Sequence, residues 1–261
     1  MKQVIRWILI LLCLAVFCFA GYKLVTTLLG YKQARDYYEE TANEYVTPSG
    51  SLERNPSSGG DAELPETADA AETAPIEVDF DALRAQCSDV VGWLYCADTM
   101  INYPLVQGRD NSQYLHAMLD GSYSANGTVF MDYHCEPDFS SSCSILYGHN
   151  MRDGSMFHSL LEYGKQEYYD AHPVMYLLTP TKNYAVHIFA GFTTPADSWP
   201  YVIEFGSEEE KQAYLDKAVA SSAFQAQTEP TVNDRILLLS TCSYNYDDAR
   251  YLVLGILTPI D

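Results

Sequence analysis

The stretch ILLLSTCSYNYDDARYLVLGIL, residues 236–257, decides the reading of this chain. Two hydrophobic runs, RILLLST and RYLVLGILT, flank a short loop crowded with polar residues, which is the pattern of two β-strands and their connection. The first run leads into a cysteine, Cys242, and the second begins on an arginine, Arg250. If the runs pair as antiparallel neighbours, the connection over residues 243–249 returns Arg250 to the end of the sheet that bears Cys242. A thiol so placed is a potential nucleophile, but an ordinary thiol, with a pKa of about 8.5, needs a neighbouring base or cation to act near neutral pH. Arg250 has two readings. It holds the negative charge of a tetrahedral intermediate, since a guanidinium stays protonated, or it pairs with Asp247 or Asp248 in the loop.

Six histidines are candidates for the base. His149, in SILYGHNM, stands just past a strand-like run and after a glycine that permits a tight turn, where a side chain can project into a site. The plain alternative is a loop histidine without a role. His116 and His158 fall in text of helical character, His187 lies inside a strand candidate and His172 precedes Pro173, so structural or surface roles are expected for these four. His134 adjoins Cys135 but lacks the second tight ligand pair of a zinc site; no metal and no cofactor is expected.

Between the ends of the chain the text is short and punctuated. DFDALRAQCSDVVGWL opens on an Asp-type cap with apolar residues at helical spacing, and RDNSQYLHAML reads as a short helix. INYPLV, whose proline suits an edge strand, GTVFMDY, SCSILYG, VMYLLTP and NYAVHIFAGFTT read as strands. SEEEKQAYLDKAVASSAF, with Ser207 and Glu210 in a capping-box arrangement, reads as the clearest helix. Many strands with few helices, not alternating one for one, predict a mainly β domain with peripheral helices, a largely antiparallel barrel or sandwich.

Three segments follow from composition: an anchor over 1–30, an acidic extracytoplasmic spacer over 31–75 and a globular domain over 76–261. Lys2 and Arg6 precede WILILLCLAVFCFAGY, and with LVTTLLG the apolar helix spans about 34 Å, enough for a hydrocarbon core of ~30 Å. The rival reading is a cleaved signal peptide ending near residue 20. The retained anchor is preferred, with the N-terminus inside and the rest outside, although Lys23, Lys32 and Arg35 on the far flank run against that charge rule. Residues 31–78 carry 11 acidic against 3 basic side chains, so much of the formal charge of −20 lies in the spacer. No Lys/Arg cluster offers the footprint of a nucleic-acid binder. Within the spacer, LPETA at 64–68 nearly spells a sorting motif, but no apolar span and basic tail follow it. Outside the anchor five cysteines remain, an odd number; Cys242 is the one left unpaired, and Cys87, Cys96, Cys135 and Cys143 are either paired or small buried residues.

Together, LLLSTC, the arginine one short loop later, YGHN upstream and the run DALRAQCSDVVGWLYCADTMINYPLVQGRDNSQYL resemble the sortases, and within them class B, over about residues 78–259. The resemblance implies a closed eight-stranded β-barrel with added helices. It also implies a membrane-anchored cysteine transpeptidase of Gram-positive bacteria, with Cys242 as nucleophile, His149 as general acid/base and Arg250 as the group that binds the substrate carbonyl and oxyanion. Implied partners are surface proteins bearing an NPxTx- or SPxTx-like sorting motif, cut after Thr, and an amine of the peptidoglycan precursor; a pilin lysine, in a pilin-polymerising sortase, is the alternative. An L,D-transpeptidase would place Gly before the cysteine and Arg two residues after it, where this chain has Thr241 and Tyr244. A non-catalytic anchored binding module would give no reason for His, Cys and Arg at these three strand ends.

Overall fold

Runs that are apolar without alternation are strands covered on both faces, and ILLLSTC is of this kind. The computed structural model describes residues 2–49 and 73–260. Its elements in chain order are α1 (Lys2–Tyr45), β1 (Val46–Pro48), β2 (Ile76–Val78), α2 (Phe80–Gln86), β3 (Val90–Tyr95), β4 (Asn102–Gln107), β5 (Val129–Met131), β6 (Cys143–Tyr147), a 3₁₀ turn (His158–Gly164), α3 (Gln166–Ala171), β7 (Val174–Leu178), β8 (Asn183–Pro195), α4 (Glu208–Ser221), β9 (Ile236–Cys242) and β10 (Ala249–Ile260). Among the described residues, eight strands close into one barrel in the order β10-β8-β7-β3-β4-β5-β6-β9. The pairs are antiparallel except β4–β5 and β6–β9, which are parallel.

The decisive stretch folds as its pattern predicts. β9 and β10 are antiparallel, Cys242 lies directly opposite Arg250, and the Ser243 amide closes the loop on the Ala249 carbonyl at 2.8 Å. On its other edge β9 runs parallel to β6, from Cys143↔Ile236 to Tyr147↔Ser240. Leu237, Leu238 and Leu239 are buried, as are Ile145 and Leu146 beside them, so the strand that delivers Cys242 sits inside the core and only its end emerges.

Three local expectations change. The helix opening on Asp79, whose carboxylate accepts from the Ala82 amide at 2.9 Å, stops at Gln86, and VVGWLY is strand β3. Its β-branched pair and buried Trp93 outweigh the helical spacing, and a side chain at Gly92 would meet the Leu178 carbonyl at 2.8 Å. β4 is not an edge strand: it pairs with β3 and β5, and the β5 ladder starts only at Leu105, leaving Pro104 outside it. RDNSQYLHAML forms turns instead of a helix, because Asp110 Oδ1 captures the Ser112 and Gln113 amides that a helix would direct to carbonyls.

The division expected at residue 31 also differs. α1 continues to Tyr45, and Ala34, Tyr38 and Thr41, on one helical face, are buried against the barrel. The Tyr38 hydroxyl donates to the Gly127 carbonyl at 2.6 Å and lies 2.8 Å from Thr128 Oγ1, and its ring meets Tyr103 edge-on at 5.6 Å. β1 pairs with β2, so the chain on both sides of residues 50–72 belongs to the packed body; LPETA lies outside the described residues. Acidic residues on the other faces of the helix hid this contact in the composition. A protein lacking residues 1–30 is therefore expected to keep its stability, whereas one lacking 1–75 loses the Tyr38 anchor, a buried aromatic worth about 3 kcal/mol. Equal urea midpoints for the two would show the contact to be dispensable.

Before residue 30, α1 exposes Trp7, Leu11, Phe17 and Leu24. It is long and apolar enough to cross a membrane.

Candidate active site

The parallel pair β6–β9 and the antiparallel pair β9–β10 bring three sequence-predicted residues to one place. Cys242 ends β9, Arg250 is the second residue of β10, and His149 follows β6 by two residues. All three line one cleft of about 560 Å³, with Tyr147, Tyr201, Asn111 and Asp197 on its walls. Each is half-buried. They thus reach a substrate while standing on a fixed scaffold.

Cys242 is the accessible thiol of the domain. Cys87, Cys96, Cys135 and Cys143 are buried and unpaired, acting as small core side chains. Burial pushes the Cys96 and Cys135 thiols up to about 11 and Cys143 higher still, which keeps them inert.

His149 is oriented by the backbone of the turn region 108–128. Its Nε2 lies 2.8 Å from the Leu115 carbonyl, and because a carbonyl only accepts, Nε2 carries the hydrogen and Nδ1 is left as the basic nitrogen. Burial lowers its pKa below the usual histidine value; the bond to Leu115 opposes this, and the neighbouring His116 adds to it. The ring is neutral at pH 7, as a proton acceptor must be. Gly148 before it is required by space, since a Cβ there would stand 2.7 Å from the fully buried ring of Phe157.

Arg250 donates to the Ala249 carbonyl at 3.1 Å. Among the described residues no ion pair joins it to Asp247 or Asp248. Burial raises the Tyr201 pKa while the positive charge of Arg250 pulls it down, so the guanidinium faces the same cleft as Tyr201. A cation without a carboxylate partner, opposite a thiol, is suited to an oxyanion.

Sequence reasoning missed the cleft wall. Asp132 accepts from Asn111 Nδ2 at 2.7 Å and from the Tyr147 hydroxyl at 3.0 Å, and also from the amide and ring of His134, each at 3.0 Å. Burial alone would raise its pKa, but these bonds win and hold the carboxylate below the usual range. It fixes two side chains that face the substrate space. His116, expected in a helix, stacks on His149 with centroids 5.5 Å apart and planes 12° from parallel. His187 stays within β8 and His172 follows α3, apart from the cleft.

No protein-family model matches the chain. Sortase B of Listeria monocytogenes is 32% identical over 252 residues, covering 95% of this chain and 94% of that protein. The chain belongs to the sortase B family. Sortase B of Staphylococcus aureus is 27% identical over 95% of this chain and 93% of that protein. Among solved structures, sortase B of Bacillus anthracis in complex with AAEK1 superposes with a TM-score of 0.72 at 29% identity, over 89% of this chain and 99% of that one. A complex of Staphylococcus aureus sortase B with substrate gives 0.67 at 29% identity, over 70% and 85%. The barrel implied by the sequence is thus the barrel of the family, and the protein is a cysteine transpeptidase that anchors proteins to the cell wall.

Proposed function

We propose that Cys242, His149 and Arg250 carry the transpeptidation, and the observation that supports it most is their meeting in one cleft at the open ends of three adjacent strands. His149 Nδ1 takes the thiol proton as Sγ attacks the carbonyl carbon of the motif threonine. Arg250 holds the resulting oxyanion. The C–N bond then breaks, His149 returns the proton to the leaving amine, and a thioester to Cys242 remains. An acceptor amine attacks the thioester, gives its proton to His149 and takes the acyl chain, which regenerates the thiol.

The motif is of the NPxTx or SPxTx type and the acceptor is an amine of the peptidoglycan precursor. Relatives support both halves: one sortase B structure is a complex with substrate and another a complex with triglycine. α1 anchors the enzyme through residues 1–30 with its N-terminus inside, on the side of Lys2 and Arg6, and the barrel with residues 31–48 stands outside as the catalytic domain. Incubating the domain with NPxTx, SPxTx and LPxTx peptides is expected to give an acyl adduct on intact mass with the first two, discharged by a glycine-peptide amine. Adduct with LPxTx alone would overturn the motif assignment, and adduct that no amine discharges would overturn the transfer.

A further inference from the structure

The ladder between β6 and β9 does not stop where the strands do. Beyond Tyr147↔Ser240, the Gly148 amide donates to the Ser240 carbonyl at 3.1 Å, and Thr241 Oγ1 donates to the Gly148 carbonyl at 2.8 Å. The next β9 carbonyl facing β6 is that of Cys242, two residues after Ser240, and no backbone amide meets it. The side chain of Asn150 does: Nδ2 donates to the Cys242 carbonyl at 2.8 Å. Its Oδ1 receives His158 Nδ1 at 2.7 Å. The two carbonyl oxygens can only accept, so the amide orientation and the His158 tautomer are both fixed.

Asn150 is 8% exposed, and a backbone bridge to Met156 holds it. His149 is therefore bracketed. The residue before it and the residue after it are both bonded to β9, while its own carbonyl accepts from the Phe157 amide at 2.9 Å.

We propose that Asn150 is a positioning residue for the Cys242–His149 pair, its amide aimed by His158, so that one side chain sets the distance between nucleophile and base. The proposal rests on the assignment of those two residues made above. Its action is on geometry: without the bond, the end of β9 loses its tie to the loop that carries the imidazole, and both reacting groups gain freedom where the reaction needs them fixed.

Asn150→Asp is the sharpest test, because it keeps the shape and an acceptor for His158 but sets an oxygen against the Cys242 carbonyl. Asn150→Ala removes both bonds. In transfer assays with a sorting-motif peptide and an amine, both are expected to lower kcat about 10- to 100-fold while KM stays within about twofold, the signature of misplacement without lost binding. His158→Phe, which leaves the amide without its aim, is expected to lower kcat about fivefold, the worth of one neutral hydrogen bond.

Melting points of the same variants separate this from a structural role, in which stability falls and kcat well below the melting point does not. Wild-type kcat in the folded Asn150 variants overturns the proposal. Should neither fold, an unchanged kcat in His158→Phe overturns it and a fivefold loss supports it. Cys242→Ala and His149→Ala run alongside: turnover surviving in either overturns the site assignment, whereas their silence with a normal Asn150→Asp removes only the positioning role.

Discussion

Cys242→Ala is expected to abolish thioester formation and transfer, a loss on the order of 10⁴-fold or more, as when a covalent nucleophile is removed. The other four cysteines of the domain cannot stand in for it, since each is buried and unpaired in the core. The fold is expected to survive. Cys242 is half-buried at the end of its strand, and its backbone ties, to Arg250 across the ladder and to Asn150 Nδ2, involve no sulfur. Losing one sulfur at such a site costs about 0.5 kcal/mol or less. Intact mass after incubation with peptide, circular dichroism and a melting curve on the same sample are enough: an adduct still forming, or turnover above a tenth of wild type, would remove Cys242 from the role.

How far these features could be read in advance depends on how local their causes are. The β9–β10 pair was legible because both runs are apolar without alternation, and their register follows once they are antiparallel with a short loop. His149 was legible from a glycine and a strand end. Asn150 stood next to it in plain sight, but nothing in GHN says that its amide bonds a carbonyl on a strand far along the chain. Asp110, Leu115 and His116 were misread together: the apolar spacing of their segment suits a helix, and only the Asx turn at Asp110 diverts it. That turn region brings the Leu115 carbonyl to His149. Tyr38 was hidden for another reason, since a buried face of a few residues within acidic text does not move composition. What was lost in each case was a long-range partner, which periodicity does not encode.

Arg250→Lys keeps the charge and is still expected to cost about 10²- to 10³-fold in rate, the usual loss when one oxyanion donor is removed. A guanidinium presents planar, fixed donors that meet a carbonyl and then the oxyanion from set directions; an ammonium is a shorter, strongly hydrated point charge. The competing role, a loop ion pair with Asp247 or Asp248, has no support in the geometry, where Arg250 bonds only the Ala249 carbonyl and shares its cleft with Cys242 and Tyr201. A surface pair of that kind would make the change cost ~1 kcal/mol or less of stability and little activity. Transfer rate and melting point on one preparation of Arg250→Lys therefore decide between them. A large rate loss with an unmoved melting point keeps Arg250 at the oxyanion, and near-normal turnover with a lowered melting point returns it to the loop.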